Sequence, residues 1–97
     1  MDKSQIKQLK ALAHKLKPLV TVGQHGMKDS INDELAIAID FHQLVKIKIN
    51  VGDRDLRDDL IANFIKRHKA ELVQRIGNVA VLYRRNFDKE NLLKKFS

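Results

Sequence analysis

The residues best suited to chemistry form the short loop Gly23-Gln24-His25-Gly26, which lies between an apolar, β-branched stretch and a helical pattern. Its two glycines let the main chain approach a phosphate without a Cβ atom in the way. The helix that follows would present free amides and a partial positive charge. His25 can donate a hydrogen bond or stack on a base. The loop therefore predicts an anion-binding site.

The context of the loop bears on this interpretation. Lys17 precedes the strand before the loop and Lys28 follows the loop, and both add positive charge. Asp29 lies close enough to compete for the same amides, and the glycines alone could simply make a tight turn. A nucleotide-hydrolysing loop is excluded, because that motif has a longer glycine spacing and an adjacent Gly-Lys-Ser/Thr.

Other reaction chemistries have no support in the chain. It contains no cysteine, which excludes disulfides, thiolate zinc sites and cysteine nucleophiles. The four histidines show no zinc-site spacing and each falls on a different predicted element: His14, His25, His42 and His68. We therefore predict no catalytic residue, no metal site, no cofactor and no small-molecule substrate.

Charge gives the broader class. The 97 residues contain 19 Lys and Arg against 12 Asp and Glu, a net charge of +7, which favours a polyanionic partner such as nucleic acid. The charge is patterned, since residues 29–43 contain four acids and no lysine or arginine. Lys10 belongs to a lysine stripe on the first predicted helix, and Lys46 and Lys48 share one strand face. These clusters could follow a phosphate backbone.

The length predicts one domain, 1–97, with a core of about 4–85 and a tail of 86–97. We expect no signal peptide, because the first residues carry charges and not an apolar run, and no apolar run is long enough for a membrane span. We expect a cytoplasmic protein with no membrane association, and a monomer.

Hydrophobic periodicity predicts helices over 3–17, 29–42 and 54–69, and strands over 19–22, 45–49, 72–76 and 79–84. Asp29 or Ser30 is the expected N-cap of the second helix and Asp53 that of the third. Gly77-Asn78 predicts a two-residue hairpin turn that places Ile76 opposite Val79 and Arg84 opposite Glu71. Leucines in the tail suggest a short terminal helix.

Together these elements predict an α/β chain of the α+β two-layer type. An N-terminal helix precedes β-α-β-α-β-β, giving a four-stranded mixed sheet packed with helices. The first two strands should be parallel and the last two antiparallel.

Three segments in this order resemble a known family: Leu16–Gly26, Leu44–Lys48 and Ile76–Arg84. They are similar to the CRM domain (chloroplast RNA splicing and ribosome maturation), in its free-standing bacterial YhbY-like form. The resemblance implies an RNA-binding module with a fold similar to the C-terminal domain of translation initiation factor three. Bacterial members associate with precursors of the large ribosomal subunit, and plant relatives assist group II intron splicing.

Carried over by position, the family's loop falls on Gly23–Gly26, its basic strand on Lys46 and Lys48, and its closing arginine on Arg84. The leading hypothesis is a non-enzymatic protein that binds rRNA in the pre-50S particle and assists ribosome assembly. The alternative is an adaptor whose lysines contact acidic protein partners, with incidental RNA affinity. A DNA-binding regulator ranks last, because no helix-turn-helix signature is present.

Overall fold

The computed structural model describes residues 1–23 and 28–94, which form three helices and four strands. In chain order these are α1 (Lys3–His14), β1 (Val20–Val22), α2 (Asp29–His42), β2 (Leu44–Ile49), α3 (Arg54–His68), β3 (Glu71–Ile76) and β4 (Val79–Tyr83). The predicted order of one helix followed by β-α-β-α-β-β is confirmed.

The strands form one mixed sheet in the order β1-β2-β4-β3. β1 is parallel to β2, with Val22 paired to Ile49, whereas β4 is antiparallel to both of its neighbours. The predicted strand directions are confirmed. Because β1 and β2 are parallel, the loops that leave their carboxyl ends emerge at the same edge of the sheet.

Helices cover both faces of the sheet. On one face, Leu35 of α2 and Phe64 of α3 are completely buried against alternate residues of the central strands. On the other face, Leu9 and Ala13 of α1 pack with Tyr83 in a second apolar cluster. Each fully buried side chain of this size contributes roughly 1.5–3 kcal/mol. The α+β class is confirmed. Because α1 covers the second face of the sheet, the fold has three layers and not the expected two.

α1 is shorter than its hydrophobic pattern predicts, since it ends at His14 and not at Lys17. Its start is fixed by Asp2, whose side chain accepts a hydrogen bond from the Gln5 amide in a capping box. At its end the Leu16 amide bonds back to the Ala13 carbonyl at 2.9 Å, a tighter turn than the helix. The chain then leaves for β1.

The hairpin closes as predicted at Gly77-Asn78, where Gly77 has a φ of +58°. That left-handed conformation favours glycine at this position. Ile76 pairs with Val79, which confirms the predicted turn.

Further from the turn the predicted register is wrong. The pairing shifts between Leu72 and Gln74, because Val73 is an extra residue in β3 and turns into the second apolar cluster. As a consequence Glu71 pairs with Tyr83, and the expected pair of Glu71 with Arg84 does not form.

The tail follows β4 without regular secondary structure as far as Lys94, so the suggested terminal helix is absent from its described residues. Its polar groups are satisfied by side chains instead. Gln43, which caps α2, accepts a hydrogen bond from the Asn86 amide at 2.9 Å and donates to the Glu90 carbonyl at 2.7 Å. Gln8 of α1 bonds both main-chain groups of Lys94. These contacts replace the helical hydrogen bonds.

Candidate nucleic-acid interface

Gly23 lies at the exposed carboxyl end of β1, directly after the buried Val22. A Cβ atom added at Gly23 would meet no other atom of the described residues within 4 Å, and the φ of Gly23 is not in the left-handed region. Neither packing nor backbone strain therefore requires glycine here. What the missing side chain provides is unobstructed access to the main chain from solvent.

Three of the predicted RNA-binding residues, Gln24, His25 and Gly26, lie outside the described residues. Their assignment to RNA stays a prediction. The described chain fixes where their loop is attached, since it leaves β1 at Gly23 and enters α2 at Lys28.

Lys28 is exposed and is the N-cap of α2. The prediction that Asp29 or Ser30 caps this helix is wrong, and no side chain within residues 1–23 and 28–94 caps its first amides. An uncapped helix start carries a partial positive charge and favours an anion. Asp29, which was expected to compete with an anion for these amides, does not cap the helix.

A cleft of about 700 Å³ lies beside Gly23 at this edge of the sheet. Two hydrogen bonds bring its walls together: the Asn50 amide donates to the Val22 carbonyl at 2.7 Å, and the Ile49 amide donates to the Asn78 carbonyl at 2.6 Å. Gly52 and Arg57 complete the lining. The cleft thus joins the end of β1, the β2–α3 connection and the hairpin turn.

One arginine of α3 lines this cleft, and two further arginines lie in the cleft next to it. Arg57 lines it and also lines a second cleft of about 370 Å³, together with Arg54, Arg75 and Gly77. Arg75 forms an ion pair with Asp58. Arg57 forms no ion pair with any residue in 1–23 or 28–94, and its Nε atom is buried without a hydrogen-bond partner there. Because Arg57 lines both clefts, an anion that enters either of them would meet its charge.

Sequence reasoning missed Arg54 and Arg57, because they lie among the acids Asp53, Asp55, Asp58 and Asp59, whose place at a helix start favours helix capping. That interpretation is confirmed for Asp53, whose Oδ1 atom accepts from the Asp55 and Leu56 amides at 2.9 and 3.3 Å. The signal that could have found the arginines is their spacing of three residues, which places both on one side of the first turns of α3.

The two strand lysines lie on the face of the sheet that α1 partly covers. Lys48 pairs with Thr21 in β1, two residues before Gly23, and with Val79 in β4. Lys46 is half-buried and its Nζ atom donates to the Leu16 carbonyl at 3.2 Å. Lys48 forms no ion pair with any described residue. β2 therefore places the available ammonium group of Lys48 near the end of β1, where the loop begins.

The other predicted lysines surround this face. Lys10 is exposed on α1, and Lys17 is exposed in the connection that leads from α1 into β1. A groove of about 210 Å³ lies between His14 at the end of α1 and the sheet residue Lys46. The structure therefore brings Lys17, Lys46 and Lys48 along one path that ends near Gly23.

Arg84 is placed elsewhere. It follows β4 at the edge where Tyr83 pairs with Leu44, the opposite edge from Gly23. Its guanidinium donates to the His68 carbonyl at 2.8 Å and lies 3.7 Å from an Asp40 carboxylate oxygen. The structure thus does not bring Arg84 together with the loop.

The described histidines do not form a metal site. His14 and His42 are exposed, whereas His68 is buried, with its Nε2 atom 3.1 Å from the side-chain Oδ1 atom of Asn32. Burial, together with the nearby Arg84 and Arg67, lowers the pKa of His68. Within residues 1–23 and 28–94 no group of three potential metal-ligating side chains occurs.

Comparison with known proteins identifies the family. The model of the CRS1 / YhbY (CRM) domain matches residues 1–84. The chain belongs to this CRM domain family. The recognition made from the three sequence segments is confirmed, and the CRM family is a family of RNA-binding domains and not of enzymes.

Curated relatives of this CRM domain are bacterial. "Probable RNA-binding protein PA4753" of Pseudomonas aeruginosa is 35% identical over 86 residues, covering 89% of this chain and 83% of the relative. "RNA-binding protein" of Haemophilus influenzae is 38% identical over 76 residues, covering 78% and 77%. "Probable RNA-binding protein YqeI" of Bacillus subtilis is 32% identical over 83 residues, covering 86% and 84%.

A solved structure shows the same fold. The solution structure of SAV1595 from Staphylococcus aureus aligns with a TM-score of 0.77 and 27% identity, and the alignment covers 94% of each chain. Among the described residues of the CRM domain, no helix is long and apolar enough to span a membrane.

Proposed function

We propose that this CRM domain is a single cytoplasmic RNA-binding module that, as a monomer, binds rRNA in precursors of the large ribosomal subunit and assists its assembly. The observation that carries the proposal is the open end of β1. There Gly23 and Arg57 line one cleft, and Arg57 has no ion-pair partner among the described residues. The N-cap of α2, Lys28, follows Gly23 by five residues in the chain. The names of the bacterial relatives support RNA as the ligand.

In the proposed mechanism, the Gly23–Gly26 loop holds the sugar-phosphate backbone through main-chain amides. Arg57 and Lys28 neutralise the phosphates at the loop, and Lys48 extends the positive surface along the sheet. With only four Phe and one Tyr in the chain, stacking on a row of aromatic side chains is not the basis of binding. Binding through phosphates recognises the shape of folded RNA more than its sequence.

The remaining predicted contacts follow the same surface. We assign Lys10 and Lys17 to phosphates further along the RNA, and Lys46 to both the turn after α1 and the RNA. Gln24 and His25 are assigned to the loop contact. Arg84 would touch RNA only if the bound RNA reached around to the opposite edge of the sheet, and its role as a contact is tested separately below.

The test is a fluorescence titration with large-subunit rRNA fragments, repeated with excess bulk RNA at moderate salt. Specific binding should survive the competitor, since specific complexes are commonly about 10³-fold or more tighter than non-specific ones. In-cell crosslinking followed by sequencing should recover large-subunit precursor rRNA. Binding that the bulk RNA abolishes, with crosslinks spread over unrelated transcripts, would favour the adaptor alternative instead.

A further inference from the structure

The outer side of α2 differs from the rest of this cationic chain. Ile37 is 72% exposed and Phe41 is 61% exposed, and their spacing of four residues places them on one side of the helix. Exposed acids surround them: Asp33 and Glu34 lie one turn before Ile37, and Asp40 lies beside Phe41. We call these five residues the α2 patch. Large apolar side chains exposed together commonly mark an interaction site.

The chemistry of the α2 patch selects its partner. After its first turn α2 contains three acids and no lysine or arginine, so this outer side repels RNA and anionic lipid and attracts cationic groups. A shallow groove of about 470 Å³ runs past Ile37, Asp40 and Phe41, with Arg84 and Lys89 at its border. The Arg84 guanidinium lies 3.7 Å from the Asp40 carboxylate, so Asp33 and Glu34, which form no ion pair with a described residue, are the carboxylates that a partner would meet. An apolar side chain can enter this groove while basic residues around it meet the carboxylates.

The chain itself demonstrates one such contact. The Nζ atom of Lys89, from the tail, lies 4.2 Å from the centre of the Phe41 ring. This cation–π geometry shows that the exposed ring accepts an ammonium group. A partner's lysine or arginine could use the same ring, either by replacing Lys89 or by approaching the uncovered part of the ring.

The position of the α2 patch leaves the RNA surface free. α2 packs its buried Leu35 and Ile39 against the sheet face opposite to Lys48, and the α2 patch points away from that sheet. The proposed RNA contacts and the α2 patch therefore face different directions, and both can be occupied at once.

From this arrangement we infer that the α2 patch is a docking site for a lysine- and arginine-rich protein segment that carries an apolar side chain. This differs from the adaptor alternative, in which the lysines of this chain contact acidic partners. The inference does not depend on the RNA proposal, because none of the five residues of the α2 patch is a proposed RNA contact. Arg84, which borders the groove, is the one predicted RNA contact near it.

The test uses the full chain and a fluorescent synthetic peptide of lysines with two leucines at helical spacing, titrated by anisotropy at physiological salt. The double variant D33K/E34K reverses the charge of the α2 patch, and I37S/F41S removes its apolar part without changing the charge. D59K/E71K is the matched control, since it makes the same charge change at exposed positions outside α2. Circular dichroism verifies that each variant is folded.

We expect the wild-type chain to bind the peptide and both α2 variants to lose about tenfold or more in affinity, whereas the control should stay within about twofold. RNA affinity of I37S/F41S should be unchanged. No binding by the wild-type chain, or equal losses in D33K/E34K and D59K/E71K, would overturn the inference. Two further results would also overturn it. A wild-type dimer in sedimentation that I37S/F41S dissociates would assign the α2 patch to a second copy. A loss of RNA affinity in I37S/F41S would assign it to RNA.

Discussion

The Arg84 guanidinium donates to the main-chain carbonyl of His68 at 2.8 Å and so joins the end of β4 to the end of α3. The Arg84 side chain is only 29% exposed, and its second contact, to Asp40, is long and open to solvent. The bond to His68 is therefore the stronger of the two contacts, because a charged donor that is shielded from water gains more from its acceptor.

We predict that Arg84→Ala lowers the free energy of unfolding by about 1.5–3 kcal/mol, since the His68 carbonyl loses a charged donor. Urea denaturation measures this change. RNA affinity, corrected for the unfolded fraction, should be unaffected. A large loss of RNA affinity at unchanged stability would instead show Arg84 to be the RNA contact that the family resemblance implies.

His68 should make stability depend on pH. Its pKa in the folded chain is lowered from the ordinary 6.5, so the unfolded chain binds more protons as the pH falls below 6.5. The stabilising contribution is complete above pH 6.5 and is lost as the pH falls through the folded pKa. Urea midpoints measured across this range should decline for the wild-type chain and decline less for His68→Gln. The exposed His42→Gln should behave like the wild type.

Gly23 offers a test of the loop that leaves packing intact. Gly23→Asp adds a Cβ atom that meets no described atom within 4 Å, so we expect unchanged stability and about tenfold weaker RNA binding through repulsion by the new carboxylate. Gly26→Asp should also weaken binding. Gly23→Ala is the control for the added Cβ atom. Undiminished affinity in both aspartate variants would remove the loop from the mechanism.

Arg57 should contribute to binding as a phosphate contact. Replacing it by glutamine should weaken binding to all RNA sequences alike and reduce the slope of log affinity against log salt by about one. Arg67→Gln makes the same charge change at the other end of α3 and should leave both quantities nearly unchanged. Equal effects in the two variants would mean that only net charge matters.

Gln43 should tolerate glycine better than alanine. Its φ of +64° is unfavourable for any residue with a Cβ atom, yet its side chain holds the tail through Asn86 and Glu90. Both substitutions lose these hydrogen bonds, but Gln43→Gly removes the backbone strain of the positive φ. Its free energy of unfolding should therefore be about 1 kcal/mol higher than that of Gln43→Ala. Equal stabilities of the two variants would show that the backbone at this position is not strained.

The sequence predicted those parts of the fold that depend on local patterns. The alternation of Val45, Ile47 and Ile49 with lysines and the periodicity of α2 each determine an element directly, and both bounds of α2 are confirmed. The bulge at Val73 could not be predicted, because it depends on whether the second apolar cluster has room for the Val73 side chain. The tail was missed for a similar reason, since its hydrogen bonds go to Gln8 and Gln43, which are distant in sequence.

The candidate site was predicted in its parts but not in its arrangement. Lys48 was placed from the strand pattern, and the sheet register brings it beside Thr21 and the loop. Arg57 was missed because its contribution depends on α3 starting at the same sheet edge as Gly23. Arg84 was grouped with the site by family resemblance, although strand direction carries it to the far edge.

The two border strands of the sheet, β1 and β3, also determine whether copies of the protein can pair strand to strand. β1 offers a neighbouring chain only three residues, and β3 is interrupted by its bulge, so neither border strand presents a long regular row of free amides and carbonyls. Neither β1 nor β3 is therefore a good template for pairing with a strand of another copy. Crowding of many copies on one nucleic acid should therefore not seed fibrils through this sheet.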